Sequence, residues 1–459
     1  MSIPTLLIAG TTSGVGKTTV SLAIMYGLRY RIGYSIQPFK VGPDYIDPSY
    51  HKMVTGKDSR TLDAWIMGSR GIVKSFVEST QDVDVAIIEG VMGLYDGVSG
   101  KSNFASSAYV AKLLKAQIIL VIDAAKAARS IAAMALGYIQ FDKETKIVGI
   151  ILNNVSGARH AKYIIEAFKN IVKVPILGIV PRSKDAKFKE RHLGLIPGDE
   201  LGSTNKRKII SIAKQVSESI DYEKLVKLLK ISDVKKYRTK THKFGSKTSI
   251  TIGVALDNSF NFYYGENLNT LRLLGGEIQF FSPLIDKELP ENISGVIIGG
   301  GFPEILANKL STNYSMIRSI KSAAEQGLPI YAECGGLMYL TKSIRGFKSF
   351  KTPIKMVGLI DAQTSMSEKL TLNYTKADMR SSVYGRILDL KGHEFHYSRI
   401  QNIAKDSRYA YTLKRGYGID GNHDGVLVYN TLASYMHLHF HDVRLPRNWI
   451  HICHSYLRK

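Results

Sequence analysis

TLLIAGTTSGVGKTT, residues 5–19, is the stretch from which the fold of the first half is read. An apolar, β-branched run enters a glycine turn, and the turn enters a helical pattern. Backbone N–H groups in such a turn, together with the helix N-terminus, form a concave site for an anion. The phosphate-loop pattern G-x-x-x-x-G-K-[ST] is met with one departure. Thr11 stands where the first glycine belongs, and Gly10 comes one residue early. Thr12, Ser13, Gly14, Val15, Gly16, Lys17, Thr18 and Thr19 are therefore the candidate ATP-binding residues. Lys17 is expected to reach the terminal phosphates and the Thr18 hydroxyl to ligate Mg²⁺. An accidental glycine turn is the bland alternative, and the order strand, GVGKTT, helix argues against it.

Outward from this loop, residues 34–39, 85–89, 118–123 and 147–153 read as further strands, with amphipathic stretches between most of them. That alternation predicts a mostly parallel sheet flanked by helices. The strand 85–89 ends in Glu89, the form of a Walker B-like metal ligand. Asn153 ends another strand, where it either reads an adenine edge or closes a turn. Residues 206–230 read as one amphipathic helix. Residues 234–247, VKKYRTKTHKFGSK, carry six Lys or Arg and no acid, and read as an exposed basic linker rather than a DNA-binding arm. A second α/β pattern follows, with strands at 250–256, 277–282, 295–299 and 328–333. The expected domains are 1–200, a synthetase domain; 201–248, helix and linker; and 249–459.

Composition narrows the function classes. The chain has 459 residues, too many for one comfortable core, so two domains are expected. Its 44% hydrophobic and 22% charged residues are globular values. No apolar run reaches the length of a membrane span. The first residues enter a strand without a basic leader, so a cytoplasmic location is expected. Two isolated cysteines, Cys334 and Cys453, make neither a disulfide framework nor a zinc pattern. The formal charge of +23 fits a lysine-rich surface, a nucleic-acid partner, or a strongly anionic small substrate drawn in by the summed field. No nucleic-acid motif accompanies the charge.

Cys334 follows an apolar strand and precedes Gly335 and Gly336. A strand–turn–helix elbow exposes the sulfur and aims it at a helix start, which favours the thiolate. The N–H of Gly335 and one from the run at Gly300 and Gly301 are the candidate oxyanion donors. Twelve histidines are present, and the residues alone do not choose a base among them.

The segments QPFKVGPDYIDP (37–48), VAIIEGVMGLYDG (85–97), ERHLGLIP (190–197), ALDNSFNFYYGENL (255–268), GGGFPE (299–304), YAECGGLMYL (331–340), GHEFHYS (392–398) and ASYMHLHF (433–440) run in order across the chain. Together they resemble the cobyrinic acid a,c-diamide synthase family. The resemblance implies a two-domain α/β fold: a dethiobiotin-synthetase-like P-loop domain, then a class I glutamine amidotransferase domain. It implies ATP-dependent amidation of tetrapyrrole carboxylates through acyl phosphates, with ATP and Mg²⁺ as cofactors and glutamine as nitrogen source.

By the same resemblance, Thr18, Glu89 and Asp44 are metal ligands, and Lys40, Asp44, Tyr45, Ile46, Asp47 and Asp96 face the substrate. Acids between prolines also close turns, and that is the plain alternative for Asp44 and Asp47. Asp63 is a further ligand or a helix cap. His437 matches the family's histidine and is the expected base beside Cys334. Two residues on, where many class I enzymes place a carboxylate, stands His439, so a Cys–His pair is expected rather than a triad. His393 and His396, at i, i+3, read as structural or as lining near this centre. No nucleic-acid or membrane partner is expected, and a homodimer is allowed. The alternatives are the same chemistry on nickel-sirohydrochlorin or hydrogenobyrinic acid, and a DNA-binding P-loop ATPase of the partitioning type. The absence of a second lysine at Thr11 weighs against the latter.

Overall fold

The computed structural model describes residues 2–183, 190–191, 194–195, 203–233, 249–346 and 352–458. The basic stretch 234–247 and half of 190–197 lie outside them. The chain divides into two compact units, Met1–Thr239 and Lys240–Lys459.

The first unit is built on a parallel sheet. Its strands are β1 (Ser2–Gly10), β2 (Ile36–Val41), β3 (Arg60–Leu62), β4 (Val85–Gly93), β5 (Gln117–Asp123), β6 (Ile147–Val155) and β7 (Ile176–Pro181), in the order β3-β2-β4-β1-β5-β6-β7. Strand Ile231–Asp233 adds to β1 antiparallel. Near-continuous apolar strands such as QIILVID suit a sheet covered on both faces. One face packs on Phe39, Leu62, Phe76 and Ile131, the other on Val20, Ile24, Ile212 and Leu225. In such sheets ligands gather at the carboxyl ends of the strands, and β1 delivers its glycine turn there.

The predicted single helix over 206–230 is two helices, Ser203–Ser217 and Tyr222–Leu228. Asp221 breaks the run by capping the second helix, its side chain accepting from the Lys224 N–H. Both helices belong to the core of the first unit. Tyr222 donates to the Ala23 carbonyl of helix α1 (Lys17–Gly27). A Cβ at Gly27 would stand 2.0 Å from the Tyr222 ring, so only glycine admits this packing.

The second unit holds a mixed sheet. A parallel run orders Gly276–Phe281, Ile250–Ala255, Ile293–Ile298, Ile330–Glu333 and Thr431–Ser434. Beyond it the sheet turns antiparallel through His423–Val428 and Arg408–Arg415 to a long hairpin, Ile360–Ser381 with Gly385–Gln401. The short strand His437–Leu438 pairs with the return arm of that hairpin, setting His437 opposite His393. Among the described residues no helix is long and apolar enough to cross a membrane.

Candidate active sites

In the first unit the loop after β1 exposes Thr12, Ser13 and Gly14 while burying Val15 and Lys17. Gly14 and Gly16 have φ of 77° and 95°, values that favour glycine. Gly16 also meets Asn153, whose amide nitrogen would lie 2.1 Å from an added Cβ. That amide donates to the Val15 carbonyl at 2.8 Å, so Asn153 holds the loop itself. Lys17 Nζ folds back to the Thr12 carbonyl at 3.0 Å. Burial, and next the charge of Lys40, lowers its pKa.

The adjacent strands bring charge to this loop by register. Lys40 of β2 stands opposite Glu89 of β4, and Ile8 of β1 flanks Glu89 on its other side. Lys40 Nζ lies 2.9 Å from Glu89 Oε1, 2.5 Å from Asp47 Oδ2 and 3.7 Å from Asp44 Oδ2. Thr18 donates to the same Glu89 Oε1 at 2.9 Å. Burial opposes the charge on Glu89, yet Lys40 and His51 hold its carboxyl well below the usual carboxylate range. Asp47 goes the other way. Burial, then the charges of Asp44 and Glu89, pushes it well above its ordinary value. Lys40 is kept charged by the acids despite its burial.

Among the described residues no group of three or more His, Cys, Asp or Glu is arranged to hold a metal ion. The Thr18–Glu89 pair nonetheless fits Mg²⁺. Two oxygens at adjacent corners of an octahedron with bonds of about 2.1 Å are roughly 3 Å apart, and Mg²⁺ ordinarily takes few protein ligands beside phosphate and water. Asp44 is tied elsewhere: Oδ1 accepts the Ile46 and Asp47 N–H groups at the start of helix α2 (Ile46–Thr55), and Oδ2 faces Lys40. Tyr45 precedes α2, and half-buried Ile46 opens it. Asp96 accepts from the Gly93 N–H at 2.8 Å, next to Gly10, with which Gly93 pairs. Asp63 is a helix cap, accepting from Ile66 N–H at 2.8 Å.

Sequence reasoning missed His51. It is fully buried, with Nε2 2.7 Å from Glu89 Oε2 and Nδ1 3.0 Å from Ser59 Oγ. Its signal was the spacing from Asp47: residues four apart on a helix share a face.

In the second unit Cys334 sits between strand Ile330–Glu333 and helix Gly335–Leu340, at φ 47° and ψ −96°. A positive φ in a non-glycine residue costs about 1–3 kcal/mol and gathers at functional sites. The elbow is stitched to its surroundings. Cys334 N–H donates to the Ser434 carbonyl at 2.7 Å, and Gly336 N–H to the Gly299 carbonyl at 3.0 Å. A Cβ at Gly335 would stand 3.0 Å from the Gly301 nitrogen, so the glycine run packs closely on the residue that follows Cys334. A Cβ at Gly300 would stand 2.6 Å from His437 Cε1.

His437 is 1% exposed and hydrogen-bonded to the side chains of Cys334 and Glu333. Burial disfavours its charge, but the bonds to Cys334 and Glu333, together with the charges of those two groups, outweigh burial and push its pKa up to about 10. The Glu333 bond runs from Oε2 to Nδ1 at 3.2 Å. Its other oxygen accepts from the Tyr331 hydroxyl at 2.6 Å and the Leu438 N–H at 3.0 Å. The sequence predicts a Cys–His pair, and the fold brings a carboxylate, Glu333, to the histidine as well. His393 stacks on His437, with ring centroids 4.9 Å apart. Burial, then the neighbouring His437 and His439, lowers the pKa of His393 well below its ordinary value. His396 lies apart, stacked on Tyr435 at 3.7 Å and bonded to the Ser398 carbonyl. The HEFH segment is strand, so it has no helical metal-binding geometry.

Residues 6–196 match the CobQ/CobB/MinD/ParA nucleotide binding domain, and residues 251–444 the CobB/CobQ-like glutamine amidotransferase domain. The chain is 41% identical to a cobyrinate a,c-diamide synthase of Methanosarcina acetivorans, over 95% of this chain and 93% of that one. It is 40% identical to the synthase of that name from Caldanaerobacter subterraneus subsp. tengcongensis, over 99% of both chains. It is 39% identical to that of Picrophilus torridus, over 99% of this chain and 100% of that one. Among solved structures, one described as a glutamine amidotransferase is 18% identical with a TM-score of 0.34, covering 44% of this chain and 98% of that one.

Proposed function

The chain belongs to the cobyrinate a,c-diamide synthase family, and from that membership we propose that it amidates the a and c carboxylates of cobyrinic acid in cobalamin biosynthesis, using ATP and glutamine. It is a glutamine-hydrolysing amide ligase. What supports the finer reading is that one chain carries both halves of the chemistry. One unit has a cysteine elbow bonded to a buried histidine, and the other a phosphate loop whose threonine meets the carboxylate at the end of β4.

In the second unit Cys334, its proton passed to His437, attacks the side-chain carbonyl of glutamine. The N–H groups of Gly335 and of Gly300 or Gly301 receive the negative oxygen. Collapse of this adduct breaks the C–N bond, and ammonia leaves with the proton from His437. Water, deprotonated by His437, then releases glutamate from the thioester.

A carboxylate does not yield to ammonia until its oxygen becomes a leaving group. In the first unit a substrate carboxylate oxygen attacks the terminal phosphorus of ATP, giving an acyl phosphate and ADP. Ammonia then attacks the acyl carbon and phosphate departs. Residues 12–19 cradle the nucleotide phosphates, and Lys17 meets their charge. Asn153 acts by holding the loop. Thr18 and Glu89 would hold Mg²⁺, which neutralises phosphate charge when bound. Lys40, Asp44, Tyr45, Ile46, Asp47 and Asp96 form the substrate side. The net charge of +23 draws a polycarboxylate toward the protein.

The test is to supply purified protein with cobyrinic acid, ATP and glutamine, and to follow products by mass spectrometry. Two successive exchanges of carboxyl hydroxyl for amino group, each with ADP and glutamate formed, are expected. Amidation of nickel-sirohydrochlorin or hydrogenobyrinic acid but not of cobyrinic acid overturns the substrate assignment.

A further inference from the structure

We infer that Glu333, the residue immediately before the nucleophile, is the positioning residue of the glutaminase centre, accepting the Nδ1 proton of His437 so that the opposite ring nitrogen faces the Cys334 thiol. The inference rests on the reading of Cys334 and His437 as nucleophile and base.

Glu333 ends strand Ile330–Glu333, and the positive φ at Cys334 turns the chain directly after it. Its carboxylate is held on both oxygens. Oε2 lies 3.2 Å from His437 Nδ1, while Oε1 takes the Tyr331 hydroxyl and the backbone N–H of Leu438. Leu438 directly follows His437, so one side chain fixes both the imidazole and the backbone that carries it. His439, two residues past the base, does not fill this place. Its ring lies against Tyr264, with centroids 4.9 Å apart, and its Nδ1 accepts the His441 N–H. His393 stacks on the face of the base and is kept neutral by burial, so it does not compete for the Nδ1 proton. Burial also keeps the Tyr331 hydroxyl protonated, and it remains a donor to Glu333.

The geometry predicts a particular failure. Glu333→Gln keeps an oxygen for Leu438 and Tyr331 but turns an amide N–H₂ toward Nδ1. The base is then held in the wrong tautomer, with a proton on the nitrogen that faces the thiol. In a triad the comparable change costs up to about 10⁴-fold in kcat, and here a fall on the order of 100-fold or more is expected. KM for glutamine should stay near that of the unaltered enzyme, because no contact to substrate is removed. The apparent pKa of the base should fall, since one of the two bonds that raise it is gone. Glu333→Asp should recover part of the rate. Ammonia-supported amidation by the same preparation should be unchanged, which reports that the first unit is intact, while an unchanged KM for glutamine reports that the second unit has folded.

An unaltered kcat and pH profile in Glu333→Gln, with Cys334→Ala inactive toward glutamine, overturns the positioning role and leaves the nucleophile assignment standing. Glutamine hydrolysis that persists in Cys334→Ala overturns the assignment beneath it instead. Should Glu333→Gln not fold, the rate of Cys334 alkylation by iodoacetamide at neutral pH in Glu333→Asp decides. A slower rate supports the role, and a rate equal to that of the unaltered enzyme rejects it.

Discussion

Lys40 and Glu89 stand in register on neighbouring parallel strands, with the lysine nitrogen 2.9 Å from one carboxylate oxygen and the Thr18 hydroxyl 2.9 Å from that same oxygen. Through Lys40, Glu89 therefore links the phosphate loop to Asp47 of α2. Glu89→Gln keeps the volume and the hydrogen-bonding oxygen but removes the charge. Amidation should fall by at least about 100-fold with either glutamine or ammonia, as expected when a charge-stabilising contact in the reaction is lost. Glutamine hydrolysis measured alone should persist. Full amidation activity in the variant would remove Glu89 from the site.

Removing the nucleophile should separate the two halves. Cys334→Ala deletes the sulfur and leaves the elbow, whose backbone is held by Ser434 and Met338. Glutamine-supported amide formation should fall to background, and ammonia-supported formation should remain close to that of the unaltered enzyme. Assays of each nitrogen source on the same preparation check this. Loss of both activities would contradict the two-centre reading.

The parts of these sites that were legible in the sequence are those whose chemistry is local. The phosphate loop, Glu89 at a strand end and Cys334 at an elbow each announce themselves within a dozen residues. The partners were not legible, because sheet register and chain reversal bring them together. His51 meets Glu89 across 38 positions, and Glu333 meets His437 across 104. The carboxylate that a triad needs was sought two residues past the histidine, whereas the fold supplies it from the strand before the cysteine. The helix over 206–230 was overrun for a related reason. Apolar periodicity continues through the break, and only the cap by Asp221 marks it.

Asp424 gives a prediction for pH. It is fully buried and accepts the N–H groups of Gly425, Tyr435 and Met436, the last directly before His437. Burial outweighs those bonds and raises its pKa from 3.8 to about 7. Between those values the folded chain keeps a proton that the unfolded chain releases. The contribution of this group to stability is therefore greatest below about pH 4 and is lost as pH rises through 7. A shift of about three units corresponds to on the order of 4 kcal/mol. Asp424→Asn has no such proton, so its melting temperature should decline less than that of the unaltered chain between pH 5 and 8. Parallel melting curves across that range would reject the buried titration.

Gly300 tests the oxyanion loop and the base at once. Its backbone carbonyl receives the N–H groups of Asn261 and Phe262, so the loop is anchored and cannot yield freely. A Cβ placed there would stand 2.6 Å from His437 Cε1 and 3.3 Å from Phe262 Cβ. Carbon atoms pack at about 3.5–4.0 Å, so the imidazole must retreat by roughly 1 Å. It cannot do so and keep Glu333 on one side and Cys334 on the other. A misplacement of that size costs on the order of 100-fold in rate when it falls on a reacting group. Gly300→Ala should therefore lose glutamine hydrolysis by about that factor while ammonia-supported amidation continues, since the first unit holds none of these residues. Steady-state rates with the two nitrogen sources measure both effects. A Gly300→Ala enzyme that hydrolyses glutamine at the unaltered rate would show that the histidine is not packed against this loop in the working protein.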